Sequence, residues 1–244
     1  MTRMMPRLLL LAFLLALFSA TAAFASQEAL PDDDEDYLDS VSQVIPDPIE
    51  GWNRAMFGFN DAVIEYVARP AYKGYEYVTP SFMRTGIKNF FHNLAFPVRF
   101  VNNILQGRGR AAGVEMSRFI LNTTAGLGGL FDVAKHHKPV VRVEDEDFGQ
   151  TLGVWGFGEG FYIVWPLVGP STVRDTVGMG GDYFLSPLTY VQPWELSLGA
   201  RAVNVFNDLD DVLDLYDDLK RAAIEPYSSV RDAYVQYRRA KVAK

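Results

Sequence analysis

Asp47-Pro48-Ile49-Glu50-Gly51-Trp52-Asn53-Arg54-Ala55-Met56-Phe57-Gly58-Phe59-Asn60 reads as the start of the folded chain and as the start of a helix. Asp47 takes the N-cap, Pro48 the first helical position and Glu50 the third, a capping box with proline where an N–H would have no partner anyway. Trp52, Met56, Phe59 and Val63 then recur at spacings of four, three and four, which is one face of a helix. Asn53 and Asn60, seven apart, share a different line on that helix. Arg69-Pro70 ends the segment or bends it.

The same logic extends downstream. Helices are expected at 80–94 with Thr79 as cap, at 97–106 with Val98, Val101, Ile104 and Leu105 on a face, and at 110–123 with Val114, Phe119 and Leu121. Val205, Leu209, Val212, Tyr216 and Leu219 form another stripe, followed by Lys220 and Arg221 where a helix C-terminus favours cations. A last helix begins at Pro226, with Tyr227, Val230, Tyr234 and Tyr237 on one side. Alternating patterns are scarce, and 140–143 is the best short strand candidate. The fold class is mainly α, with one domain at 47–244.

Upstream, Arg3 and Arg7 precede an apolar run at 8–18, and Ala23-Phe24-Ala25 supplies a small-x-small cleavage site. That run is too short for about 30 Å of hydrocarbon, so residues 1–25 read as a cleaved signal peptide. Cleavage leaves 219 of the 244 residues, with 21 basic against 30 acidic and a net charge of −9. Nucleic acid is therefore an unsuitable partner. Asp32-Asp33-Asp34-Glu35-Asp36 makes 26–46 an acidic, disordered leader. The sequence contains no cysteine, which excludes disulfides, thiolate metal sites and an acylated N-terminal cysteine.

Enzyme signatures are missing. There is no Gly-x-Ser-x-Gly elbow, no phosphate-binding Gly-x-x-x-x-Gly-Lys and no His-Glu-x-x-His. Gly156, Gly158 and Gly160 imitate a dinucleotide loop but have the wrong third spacing and no following helix. His136 and His137 read as a surface pair without a third ligand, and Glu144-Asp145-Glu146-Asp147 as a solvated charge run rather than a calcium loop. No metal and no cofactor is expected.

Two stretches exceed what a soluble bundle needs. Gly126, Leu127, Gly128, Gly129, Leu130 and Phe131 are apolar and glycine-rich together, and 153–166 mixes glycine with large aromatics. Each glycine weakens a helix by roughly 1 kcal/mol relative to alanine. Either they form tight turns packed under helices, or they present apolar and interfacial aromatic surface to lipid.

Three blocks in this order resemble the MlaA (VacJ) family: 47–60, then Leu121-Asn122-Thr123-Thr124-Ala125-Gly126-Leu127-Gly128-Gly129-Leu130-Phe131-Asp132-Val133-Ala134, then Asp147-Phe148-Gly149-Gln150-Thr151-Leu152-Gly153-Val154-Trp155-Gly156, running on through Pro166, Gly169-Pro170-Ser171 and Arg174-Asp175. The resemblance covers about 47–239. It implies a single ring-shaped helical domain with amphipathic in-plane helices in the inner leaflet of the outer membrane, usually beside a trimeric porin. It also implies non-enzymatic transport: phospholipid misplaced in the outer leaflet passes through a central channel to a periplasmic lipid-carrier protein, preserving lipid asymmetry. The longest apolar stretch of the mature chain, 161–168, is too short to span, which leaves in-plane helices as the way to sit in one leaflet. The lipid path is assigned to Asn53, Asn60, Gly126, Leu127, Gly128, Gly129, Leu130 and Phe131. For the two asparagines the alternatives are hydrogen bonds to neighbouring elements or a wet channel, and the channel is the reading taken. Members commonly carry a lipidated N-terminal cysteine, so without one this chain must be held by its own helices or a partner, or not persistently. A soluble lipid shuttle and a lipid-free porin adaptor are the rival classes, separated by membrane fractionation and by co-purified lipid.

Overall fold

The computed structural model describes residues 45–243. The expected signal peptide and all but the end of the leader lie outside these residues. Ile45 and Pro46, read as leader, are part of the fold. Ile45 is buried, and the Pro46 carbonyl accepts from the Tyr162 N–H at 3.0 Å.

Helix α1 (Glu50–Val63) runs through a π turn (Ile64–Ala68) into α2 (Arg69–Val78). Pro70 has no N–H to offer the carbonyl one turn back, and the wider π turn just before it absorbs the mismatch without ending the rod. The capping box does not form. Ile49 is the N-cap, with no side-chain cap bond. The Asp47 carboxylate accepts instead from Asn53 Nδ2 at 2.7 Å and from the Tyr227 hydroxyl.

Helices α3 (Ser81–Leu94), α4 (Phe96–Leu105) and α5 (Gly109–Thr124) follow within a residue of expectation, though Pro80 rather than Thr79 caps α3. Two 3-10 turns, Val133–His136 and Lys138–Val140, lead to α6 (Phe148–Val154). The strand expected at 140–143 is absent, because nothing pairs with it and Arg118 Nη1 takes the Val140 carbonyl at 2.9 Å. The strands lie later, in β1 (Tyr162–Trp165) and β2 (Gly169–Thr172), paired antiparallel from Tyr162↔Thr172 to Trp165↔Gly169. Then come α7 (Val173–Leu185), a 3-10 turn (Pro187–Tyr190), α8 (Trp194–Asn207), α9 (Leu209–Ala222) and α10 (Pro226–Val242). The stripe from Val205 to Leu219 is thus two helices, broken at Asp208, with Val205 and Val212 exposed.

The apolar core is small. Ile45, Tyr162, Val164, Tyr227 and Val235 meet between α1, the hairpin and α10, with Met56, Phe57 and Tyr234 packed on them. The α1 stripe is divided, with Met56 on the core and Val63 half-buried but Trp52 and Phe59 outside. Trp52 is 48% and Phe59 46% exposed, whereas Asn53 is 0% exposed. Periodicity located an apolar face, and half of it looks outward.

Candidate functional site

The glycine-rich segment at 126–131 is a rigid turn at the end of α5. Leu127, Gly128 and Gly129 all adopt positive φ, at 51°, 73° and 98°. Gly128 N–H bonds back to the Thr123 carbonyl at 3.0 Å, Gly129 N–H to Asn122 at 2.9 Å and Phe131 N–H to Gly126 at 3.0 Å. Two glycines are required by close approach. A Cβ on Gly126 would sit 2.2 Å from the Phe131 carbonyl oxygen, and one on Gly129 would sit 2.5 Å from Asn93 Cβ. From below, Asn122 Oδ1 accepts from the Ala134 N–H at 2.9 Å while its amide donates to Asp132. Arg118 clamps both Asp132 oxygens at 2.9 and 2.7 Å, and Asn89 Nδ2 donates to the Leu130 carbonyl at 3.2 Å. On this braced backbone Leu127, Leu130 and Phe131 are 68%, 41% and 59% exposed. Of the two alternatives for the segment, its glycines make a tight turn and its large side chains project from it.

Asn53 and Asn60 are brought together with β1 rather than with that turn. Asn53 donates to the Tyr162 carbonyl at 2.9 Å and accepts from the Val164 N–H at 2.7 Å. About two helical turns on, Asn60 donates to the Trp165 carbonyl at 2.9 Å and accepts from the Leu167 N–H at 2.7 Å. Each amide imitates a peptide of a third strand and pins the hairpin to α1. These bonds are the structural one of the two roles left open by the sequence.

The interior between α4, α6, α7 and α10 is polar. Arg238 holds Asp147 at 2.6 and 2.9 Å and Asp175 at 2.9 and 2.8 Å, and Tyr234 donates to Asp175 at 2.9 Å. Asp147 also caps α6 through the Gln150 N–H. Burial works against its charge, but the Arg238 guanidinium and Gln150 outweigh that and hold the carboxyl below the usual range. Asn102 links this group to Thr151 at 2.7 Å and to Asp182 at 3.1 Å. Burial, aided by the nearby Asp147 charge, pushes the Asp182 carboxyl up to about 7. The acidic run 144–147 is solvated only in its first half: Glu144 and Asp145 are exposed, Glu146 is buried and Asp147 half-buried, and all four are paired. Lys241 pairs Glu144 at 3.0 Å, Arg142 pairs Asp145 at 3.0 Å, Arg108 pairs buried Glu146 at 2.6 Å, and Arg238 pairs Asp147. Three of these cations lie at least 36 residues away in sequence, which is why the run looked unpartnered.

Outside, the pattern is reversed. Tyr77, Phe82, Ile104, Met116, Ile120, Trp155, Phe157, Phe184, Leu196 and Leu198 are among the large exposed side chains. Several of the polar atoms set among them bond inward. The exposed indoles of Trp52 and Trp155 donate to the Val164 and Leu105 carbonyls at 3.2 and 3.0 Å. On α3 and α5, the hydroxyls of Thr85, Ser117 and Thr124 donate to the carbonyl four residues back at 3.0, 2.8 and 2.7 Å. Donors bonded inward in this way suit contact with hydrocarbon, where an unmet donor costs several kcal/mol. Among the described residues no helix is long and apolar enough to cross a membrane, and no group of His, Cys, Asp or Glu could hold a metal ion. His136 and His137 are exposed neighbours.

The polar interior and the inward-bonded indoles escaped the sequence reading. For the former, nothing local in the sequence ties Arg238 on the last helix to Asp147 and Asp175.

Comparison with known proteins agrees with this architecture. The family described as MlaA lipoprotein matches residues 45–241. The intermembrane phospholipid transport system lipoprotein MlaA of Escherichia coli (strain K12) is 38% identical over 192 residues, 78% of this chain and 76% of that protein. The protein of the same name from Haemophilus influenzae is 35% identical over 206 residues, covering 80% and 79% of the two chains. A solved structure described as "Structural basis for maintenance of bacterial outer membrane lipid asymmetry" superposes with a TM-score of 0.71 at 37% identity, over 81% of this chain and 99% of that one.

Proposed function

Because this chain belongs to the MlaA lipoprotein family, whose members are transport proteins and not enzymes, we propose that it carries out intermembrane phospholipid transport and maintains outer-membrane lipid asymmetry. In this reading it sits in the inner leaflet of the outer membrane, on the periplasmic side, next to a trimeric porin. It takes phospholipid misplaced in the outer leaflet and hands it to a periplasmic lipid-carrier protein. The lipid moves through the centre of a ring of helices, and Leu127, Leu130 and Phe131 flank that path where it meets the bilayer.

The observation that carries the reading is the outward apolar surface, on which the Trp52 and Trp155 indoles and the Thr85, Ser117 and Thr124 hydroxyls bond inward. Such a surface gains roughly 25 cal/mol for every Å² of apolar area taken out of water. The inward bonds of Trp52, Trp155 and the helix hydroxyls keep those donors met in hydrocarbon, while the exposed Trp194, Tyr66 and Tyr77 carry polar tips suited to the headgroup level. With no helix long and apolar enough to span among the described residues, in-plane burial is the geometry available. It also replaces the acyl anchor that the word lipoprotein describes, since the sequence has no cysteine to carry one. The turn at 126–131 adds a fixed apolar edge along which acyl tails can slide. Exposing a tail instead costs about 0.8 kcal/mol per methylene.

Deleting the gene in its own host tests the reading. Outer-leaflet phospholipid, measured by accessibility to an external lipid-modifying enzyme, should rise and return to normal on complementation. An unchanged outer leaflet would show that the chain serves another purpose.

A further inference from the structure

We propose that Lys135, His136, His137 and Lys138 form a docking patch for the anionic headgroups of a lipid bilayer, set beside the apolar turn at 126–131. The proposal rests on the reading that this turn meets lipid, and adds a preference for headgroup charge.

All four residues are exposed. None of their side chains has a hydrogen-bond or ion-pair partner among the described residues. The single acid in the sequence from 126 to 138 is Asp132, and it is fully committed to Arg118 and Asn122. Asp145, exposed a few residues further on, is engaged by His92 at 3.2 Å, Arg99 at 3.6 Å and Arg142 at 3.0 Å. The two ammonium charges are therefore not neutralised locally, in a chain whose net charge is −7.

The patch is also held in place. Ala134 is 0% exposed and its N–H bonds to Asn122, while Arg118 holds the Val140 carbonyl at 2.9 Å. Asn122 and Arg118 are the same two residues that brace the turn. The lysines thus keep a fixed position relative to Leu127, Leu130 and Phe131. Apolar side chains that dip into the acyl boundary, flanked by lysines whose stems lie along it and whose ammonium groups reach the phosphates, make an interfacial lipid contact. Free phosphate would use the lysines but not the apolar edge, so the occupant is a bilayer surface.

Each lysine near an anionic surface multiplies partitioning by roughly fivefold, so the pair should contribute roughly 30-fold at low salt. The test is flotation of the purified chain with vesicles of phosphatidylcholine alone and of phosphatidylcholine containing phosphatidylglycerol. Wild type should prefer the anionic vesicles by at least about tenfold, and added salt should erase the preference. Lys135→Gln with Lys138→Gln should lose the preference while binding neutral vesicles as wild type does. Because neither side chain has a partner, its circular dichroism should not change. A double variant that keeps the preference, or a wild type that shows none, overturns the patch. Leu130→Asp reads the underlying lipid contact separately. If it binds neutral vesicles as well as wild type, the turn does not meet lipid, a failure the lysine variant cannot produce.

Discussion

Replacing Asn53 by alanine should loosen the hairpin from α1 and lower the stability of the whole domain. The side chain is 0% exposed, and its removal deletes bonds to Asp47 at 2.7 Å, to the Tyr162 carbonyl at 2.9 Å and from the Val164 N–H at 2.7 Å. Tyr162 and Val164 are themselves 0% and 1% exposed, so water cannot replace the amide without opening the core. A buried group left unpaired costs about 1–3 kcal/mol, so two such groups cost about 2–6 kcal/mol. For a domain of this size that is a fall in Tm of roughly 5–15 °C. Asn60→Ala removes the same kind of bonds at the end of β1, but there the Leu167 N–H is exposed, and the loss should be about 1 kcal/mol. Asn53→Asp is the sharper variant. It keeps an acceptor for Val164 but turns a carboxylate towards Asp47 and the Tyr162 carbonyl, and should melt no higher than the alanine variant near neutral pH. Thermal melting in mild detergent, followed by circular dichroism, reads all three. An Asn53→Ala protein melting within about 2 °C of wild type, or below it an Asn60→Ala protein that melts lower still, would refute the clamp.

Two further outcomes follow from the structure. Gly129→Ala, with φ at 98° and a Cβ placed 2.5 Å from Asn93, should lose about 2–4 kcal/mol in thermal melting, whereas Gly128→Ala, strained but in open space, should lose less; equal losses would show that Asn93 does not pack there. Asp182 has a folded value raised to about 7 from an ordinary carboxyl value. The folded state therefore holds a proton that the unfolded state releases, and its contribution is full below about pH 4 and lost as pH rises to 7. Asp182→Asn should flatten the decline in Tm between about pH 4 and 7, and a variant with the wild-type slope would contradict it.

Most helices of the fold were legible because their apolar residues recur with helical spacing, and α3 to α5 fall almost where that spacing puts them. What the spacing could not tell is which medium the apolar face meets. Trp52 and Phe59 on α1 look like core residues in sequence and are exposed, because the helix is fastened inward by Asn53 and Asn60 instead. Asp47 has every local mark of an N-cap, yet Tyr227, 180 residues away, and Asn53 claim its carboxylate. The run at 144–147 looked solvated because Arg108, Arg238 and Lys241 reach it only after folding. The hairpin was hidden by its shortness, at four residues a strand, and by glycine and aromatic residues that give no alternation. Of the candidate site, the turn at 126–131 was visible as composition, but its rigidity depends on Arg118, Asn122 and Asp132, which no local pattern connects.

Leu130→Asp tests the central claim most directly. The Leu130 side chain is 41% exposed, and the turn's bond from Asn89 is to its backbone, so the substitution leaves the brace intact. A carboxylate at the centre of a bilayer costs about 2.5–3.5 kcal/mol, which across the lipid path would slow passage roughly a hundredfold. The measurement is outer-leaflet phospholipid in cells whose only copy is the variant, expressed at the wild-type level and with wild-type helix content. The account predicts accumulation approaching that of the deletion strain, and an outer leaflet indistinguishable from wild type would contradict it.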